Sequence, residues 1–239
     1  MRTILVTNDD GIGAAGLERL ALAAAEFGEV WVIAPDGQRS AASHSISLHD
    51  PVDIIPYGRE IAPGVKAFSC SGSAADCVRI GIISILPRRP DVVLSGINHG
   101  CNIGSDIQYS ATAGAAFESV FLGTRAIAFS EEVPGTSEIS GMYVGTMLAE
   151  LIDEEPPERS IINVNFPSCR PEELKGILRG RSVSRMSSFK DHYNVIAELE
   201  GGGKRYMVEG EYNKNAEDGT DFRAVLDKYI SVGYVKNIS

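Results

Sequence analysis

Apolar residues fall into two kinds of run along this chain. Ile4–Thr7, Val30–Ala34, Val92–Ile97, Ala126–Phe129 and Ile161–Val164 are short, rich in β-branched residues and apolar nearly throughout. That is the pattern of strands covered on both faces in a parallel sheet. Between them lie segments with apolar residues at helical spacing: Leu17–Phe27, ending near Gly28; Ala74–Leu86, apolar nearly all round and closed by Pro87; Thr112–Leu122, stopped at Gly123; and Gly141–Ile152. Val52–Ile55 and Val65–Phe68 predict two more short strands, and the polar stretches Gly37–Leu48 and Asn98–Tyr109 predict loops. The first strand, helix and strand form a β-α-β unit, which joins parallel strands by a right-handed crossover.

After about residue 170 the pattern changes. Ile177–Ser184 and Val195–Val208 alternate like exposed strands, Gly201-Gly202-Gly203 marks a hairpin turn, Asp221–Lys228 suits a short helix and Tyr229–Val235 a last strand. The expected fold is therefore α/β: a Rossmann-like, doubly wound, mostly parallel sheet in residues 1–170. Residues 171–239 add a C-terminal β-hairpin arm and a short C-terminal helix before returning to the core. A hairpin outside the core has little to bury alone, so the arm is expected to pack on another subunit, by exchange between protomers.

Composition narrows the function. The 239 residues carry a formal net charge of −10 and contain no Lys/Arg run, which argues against a nucleic-acid duplex or an anionic membrane as partner. No stretch approaches the ~20 apolar residues of a membrane span, and the apolar run at the start is too short for a signal peptide. Cys70, Cys77, Cys101 and Cys169 include no CxxC pair, so they read as small thiols in a reducing compartment. The expected location is the cytoplasm. An anionic substrate would have to be met by a local device: a cation, backbone N–H groups or a few fixed basic side chains.

Four segments carry candidate chemistry. Asn8-Asp9-Asp10-Gly11 stands at the carboxyl end of the first strand, where ligands of open α/β sheets bind. Two adjacent carboxylates confined there favour a hard cation such as Mg²⁺ or Mn²⁺. Gly11-Ile12-Gly13-Ala14-Ala15-Gly16 matches a dinucleotide-binding fingerprint, with Asp36 near the expected distance. Asp9 and Asp10 oppose that reading, since each like-charge contact with a pyrophosphate at ~4 Å costs about 4 kcal/mol. The glycines then serve a tight turn and close helix packing instead. The serine-rich loop Arg39-Ser40-Ala41-Ala42-Ser43-His44-Ser45 offers hydroxyls to a cation or a phosphate, but no G-x-S-x-G elbow supports a serine hydrolase. Ser95-Gly96-Ile97-Asn98-His99-Gly100 ends a strand with the neutral oxygen of Asn98, and Tyr109-Ser110-Ala111-Thr112-Ala113-Gly114 opens a helix whose N–H groups face an anion. His44 and His99 are candidate acid/base groups. A receiver domain would need a phospho-accepting Asp where Ser-Gly-Ile-Asn stands.

Taken together and in this order, these segments resemble the SurE family of metal-dependent nucleotidases. The likeness runs through Ile4–Ile12, Ala34-Pro35-Asp36, Arg39-Ser40, His44–Leu48, Ala75–Val78, Asp91–Gly104, Tyr109-Ser110, Thr112, Gly114-Ala115-Ala116, Asn163–Pro167, Gly219-Thr220-Asp221 and Tyr229–Val232. It implies one Mg²⁺ or Mn²⁺ per subunit on Asp9, Asp10, Ser40 and Asn98, with Asp9, Asp10 and Asn98 catalytic. Asn8, Ser43, His44, Gly96, Ser110 and Thr112 are the candidate substrate and phosphate contacts. The implied activity is hydrolysis of nucleoside 5′- and 3′-monophosphates, and of short polyphosphate, by a homodimer or homotetramer. Three departures from the family pattern are His99, where a basic residue is usual, Ala111 in place of Gly, and Ser73-Ala74 in place of Thr-Pro. Ala111 would be strained if the backbone there has a positive φ. A dinucleotide-binding oxidoreductase and a non-catalytic nucleotide-binding module are the competing classes.

Overall fold

Alternate residues of β1 (Thr3–Thr7) point to opposite sides, and both sides are apolar: Ile4 and Val6 enter one hydrophobic cluster, Leu5 another. A strand of this kind needs cover on both faces. The computed structural model, which describes residues 1–237, provides it. α1 (Ala15–Ala24) leads to β2 (Glu29–Pro35), parallel to β1 with Ile4 opposite Val30. β3 (Ile54–Pro56) and β4 (Lys66–Cys70) extend the sheet past β2. α2 (Ala74–Ile80) crosses back to β5 (Val92–His99), the other neighbour of β1. α3 (Ala111–Phe121), β6 (Ala126–Glu131), α4 (Glu138–Leu151) and β7 (Ser160–Phe166) continue the parallel winding outward.

β8 (Ile177–Leu178) follows. β9 (Phe189–Glu198) and β10 (Lys204–Tyr212) then pair only with each other, antiparallel, around a turn in which Gly201 and Gly202 hold φ of 77° and 82°. α5 (Asp221–Leu226) and β11 (Ile230–Lys236) bring the chain back, with β11 antiparallel to β7 and parallel to β8. The nine-stranded order is β3-β4-β2-β1-β5-β6-β7-β11-β8. α1 and α4 cover one face, while α2 and α3 cover the other. The order reverses beside β1, so the carboxyl ends of β1 and β5 flank the crevice where such sheets bind ligands.

The doubly wound sheet and the hairpin arm match the expectation. Two elements differ from it. The Ala74–Leu86 segment is α-helical only to Ile80, then widens into a π-turn over Gly81–Ile85. Gly81 lies so close to the sheet that a Cβ there would meet Ile33 Cδ1 at 2.9 Å. Nor is the segment buried all round: Ile83 is 61% exposed, because none of the described residues covers the outer side of that turn. Ile177–Ser184 is not one strand. Gly180 turns the chain at φ 65°, Arg181 N–H donates to Val232 O, and only Ile177–Leu178 pairs along β11. Ser73 caps α2 in a reciprocal box with Asp76, so Ser73-Ala74 still begins a helix well. Cys70, Cys77 and Cys169 are buried free thiols, and Cys101 is half-buried.

Candidate active site

Asp9 is the last buried carboxylate before the β1–α1 turn, 3% exposed. The turn itself is made by Asn8. Its side-chain amide donates to Gly11 O (3.0 Å), and its Oδ1 accepts the Gly11 N–H (3.2 Å). Gly11 has φ 101°, where other residues are strained. Gly16 lets α1 lie against β5: a Cβ there would sit 2.1 Å from Ile97 O. The glycine fingerprint is thus a turn and packing device, with two carboxylates where a pyrophosphate would need to lie.

Asp9 faces the start of α3. The Thr112 hydroxyl donates a hydrogen bond to Asp9 Oδ1. Ser110 caps the helix by accepting the Ala113 N–H (3.0 Å), and Ser95 Oγ donates to Thr112 O (2.8 Å), tying α3 to β5. Ala111 has no positive φ, so its methyl is unstrained as the first helical residue. The His99 N–H donates to Asp10 Oδ2 (2.9 Å), and the Asn98 amide nitrogen donates to Gly100 O (2.7 Å). Among the described residues, Oδ1 of Asp10 and Oδ1 of Asn98 accept no hydrogen bond. Ser40 accepts a hydrogen bond from Gln38 Nε2 (3.0 Å).

Burial pushes the Asp9 carboxyl up to about 6; the Thr112 bond pulls it down in part, and Asp10 raises it again. Such a group favours a proton or a cation. Among the described residues no cluster of three or more His, Cys, Asp or Glu side chains could hold a metal. A cation here would rest on two carboxylates completed by the neutral oxygens of Asn98 and Ser40. That all-oxygen set fits Mg²⁺ or Mn²⁺ and is a poor match for zinc.

Asp9, Ser40, Asn98, His99 and Ser110 border an open cleft of about 640 Å³, while Asp10 lies just outside its lining, held by the His99 N–H. Among the described residues no lysine or arginine lines it. An anion would therefore be met by a cation and by the first N–H groups of α3. The expected contacts divide accordingly. Asp9, Ser40, Asn98 and Ser110 share the cleft, and Thr112 reaches Asp9 from beneath. Ser43 and His44 do not border it. They line a neighbouring cavity of about 260 Å³ behind Ser110, because the Ser43 N–H donates to Tyr109 O and His44 Nε2 pairs with Glu118 Oε2 (2.8 Å). Gly96 is buried against β6, where a Cβ would meet Phe129 O at 2.3 Å. Asn8 is engaged by its own turn.

Sequence reasoning missed the supporting groups. Asn102, after β5, is held by Asn165 Oδ1 (2.9 Å to its N–H), by Ser130 Oγ (2.8 Å from its Nδ2) and by Asn163 Nδ2 (2.8 Å to its carbonyl). Asp221 accepts the N–H groups of Gly104 (3.1 Å) and Ser184 (2.9 Å). Asp106 accepts Ser187 Oγ (2.6 Å) and the Ser188 N–H (2.7 Å), fastening the root of the hairpin to the cleft. Buried Glu118 bridges His44 and Arg79, which hold its carboxyl below the usual range, His44 contributing most. Asn163 and Asn165, polar positions inside an otherwise apolar strand, were the available signal.

Comparison with known proteins agrees on one family. The family model described as Survival protein SurE matches residues 4–189. A 5′-nucleotidase SurE of Pelobacter propionicus is 39% identical over 234 residues, covering 96% of this chain and 91% of that protein. One from Clostridium botulinum is 35% identical, covering 96% and 90%. The crystal structure of the SurE protein from Aquifex aeolicus superposes with a TM-score of 0.82 at 34% identity, covering 99% of this chain and 94% of that one.

Proposed function

The chain belongs to the SurE family, and from that premise we propose that it is a 5′-nucleotidase whose cleft hydrolyses nucleoside 5′- and 3′-monophosphates with the help of one bound Mg²⁺ or Mn²⁺. The observation that carries this reading is the buried Asp9 carboxylate, beside Asp10 and hydrogen-bonded to the first turn of α3, at a cleft that no lysine or arginine among the described residues lines. Asp9, Asp10, Asn98 and Ser40 would hold the cation, which when bound supplies positive charge to a non-bridging phosphate oxygen. The N–H groups at the start of α3 and the Ser110 hydroxyl orient the remaining phosphate oxygens. Thr112 fixes the Asp9 carboxylate by its hydrogen bond. A carboxylate of the pair positions the attacking water and accepts its proton as the new P–O bond forms and the ester P–O bond breaks. The proton taken from the water then passes to the leaving oxygen, so the nucleoside departs as the alcohol and the carboxylate is regenerated.

Short polyphosphate is a second substrate class under this reading, since the same groups see only phosphate. The exposed β9–β10 hairpin, which meets the core at its root through Tyr212 and Phe222 and stands exposed beyond it, supports a homodimer or homotetramer with exchanged arms. No helix among the described residues is long and apolar enough to cross a membrane, and we assign the protein to the cytoplasm.

Phosphate release from AMP, assayed with and without EDTA over a panel of nucleotides, tests the proposal. Turnover should stop with the chelator and return on adding Mg²⁺ or Mn²⁺. Turnover indifferent to EDTA, or none on any nucleotide, would overturn it.

A further inference from the structure

Resting on the nucleotidase reading above, we propose that Phe189 is the face on which the substrate's nucleobase stacks, with Tyr109 as the second aromatic wall. Most of the cleft lining is small and polar, and serine, asparagine and aspartate offer a nucleoside little apolar surface. Two large benzene rings on different elements also line it. Tyr109 immediately precedes the cap of α3, the phosphate end of the site, and is 66% exposed. Phe189 begins β9 at the arm root and is 46% exposed. A cleft of about 640 Å³ has room for phosphate, ribose and base together.

Phe189 is also held in place, unlike an idle surface ring. It meets Tyr212 edge-on at 5.5 Å, and Tyr212 meets the fully buried Phe222 edge-on at 6.0 Å. Its own N–H donates to Ser187 Oγ (3.3 Å), while Ser187 and Ser188 are tied to Asp106 on the cleft wall. The Asn213 N–H donates to Ser188 O (2.8 Å), locking the two strands of the root together. A half-exposed ring fixed on a buried ladder pays little entropy to bind a flat partner, and every base has a π-face.

The structure therefore assigns Phe189 a role in specificity: it should favour substrates that carry a base over those that carry only a sugar. The test compares AMP with ribose 5-phosphate in the full-length protein, using Phe189→Leu, which keeps apolar bulk without a ring, and Phe189→Tyr, which keeps the ring. The ratio of kcat/KM for AMP over ribose 5-phosphate should fall roughly 5- to 150-fold in the Leu variant and stay near wild type in the Tyr variant. A ratio unmoved by Leu, or lost equally with Tyr, overturns the stacking role while AMP turnover by the wild type leaves the nucleotidase reading standing. Absence of AMP turnover in the wild type overturns both.

Discussion

At the scale of single residues, Asp9 combines burial with a neighbouring like charge, and stability and function pull against each other there. Its folded-state pKa of about 6 lies above the ordinary 3.8, so the fold binds the proton more tightly than the unfolded chain. The stability this adds is complete below 3.8 and gone once pH has risen through about 6. The metal-free protein therefore carries a penalty on the order of 3 kcal/mol at pH 8. Asp9→Asn should raise the melting temperature of the EDTA-treated protein by several degrees at pH 8 and by about half as much at pH 5, while lowering turnover at least ~100-fold. Equal melting temperatures at pH 8 would refute the buried-charge account. Glu118 works in the opposite sense. Its lowered pKa adds stability above about 4.5 that is lost as pH falls through the folded value. Glu118→Gln should cost about 1.5–3 kcal/mol at pH 7, measured by urea unfolding, and less at pH 4. It should also raise the Mg²⁺ concentration needed for half-maximal rate, because His44 anchors the loop that carries Ser40. An unchanged Mg²⁺ requirement would mean that the loop needs no such anchor.

At the scale of elements, close approach is what builds the site. α1 reaches β5 only because Gly16 has no side chain, and α3 reaches the serine loop only because Gly114 has none: a Cβ on Gly114 would sit 2.5 Å from Ser43 O. Neither neighbour is a flexible side chain that can swing away. Gly16→Ala should destabilise the protein by about 1–3 kcal/mol through overpacking and shift the Asp9–Asp10 turn, so that calorimetry and activity fall together. Full activity with unchanged stability would show that the backbone yields more easily than its position suggests. The strands and helices were readable because their apolar periodicity is strong. The π-turn at Gly81–Ile85 and the break at Gly180 were not, since both follow from contacts with β-strands distant in sequence.

At the scale of the whole molecule, the hairpin is the part that buries least. Tyr193, Ile196, Tyr206 and Met207 are all more than half exposed on it, a surface that a second copy would cover. Replacing residues 190–211 by a short glycine-rich turn keeps Phe189 and Tyr212 at the root. It should shift the melting temperature by only a few degrees, while light scattering reports loss of the oligomer. An oligomer that survives the deletion would assign assembly to another surface. The cleft, by contrast, gathers its walls from β1, β5, the start of α3 and the arm root, which lie up to about 180 residues apart in sequence.

The sequence by itself determined the α/β winding, the carboxylate pair at the end of the first strand, the helix start that faces it, and the family. These depend on local periodicity and on short runs whose chemistry is complete within a few residues. Only the tertiary structure decided that Asn8 serves its own turn, that Ser43 and His44 face a separate cavity, and that Asn102, Asp106, Glu118 and Asp221 hold the site's walls. Buried polar groups must find hydrogen-bond partners, and which partner lies within 3 Å is set by how distant strands and loops pack, which no local pattern along the chain encodes.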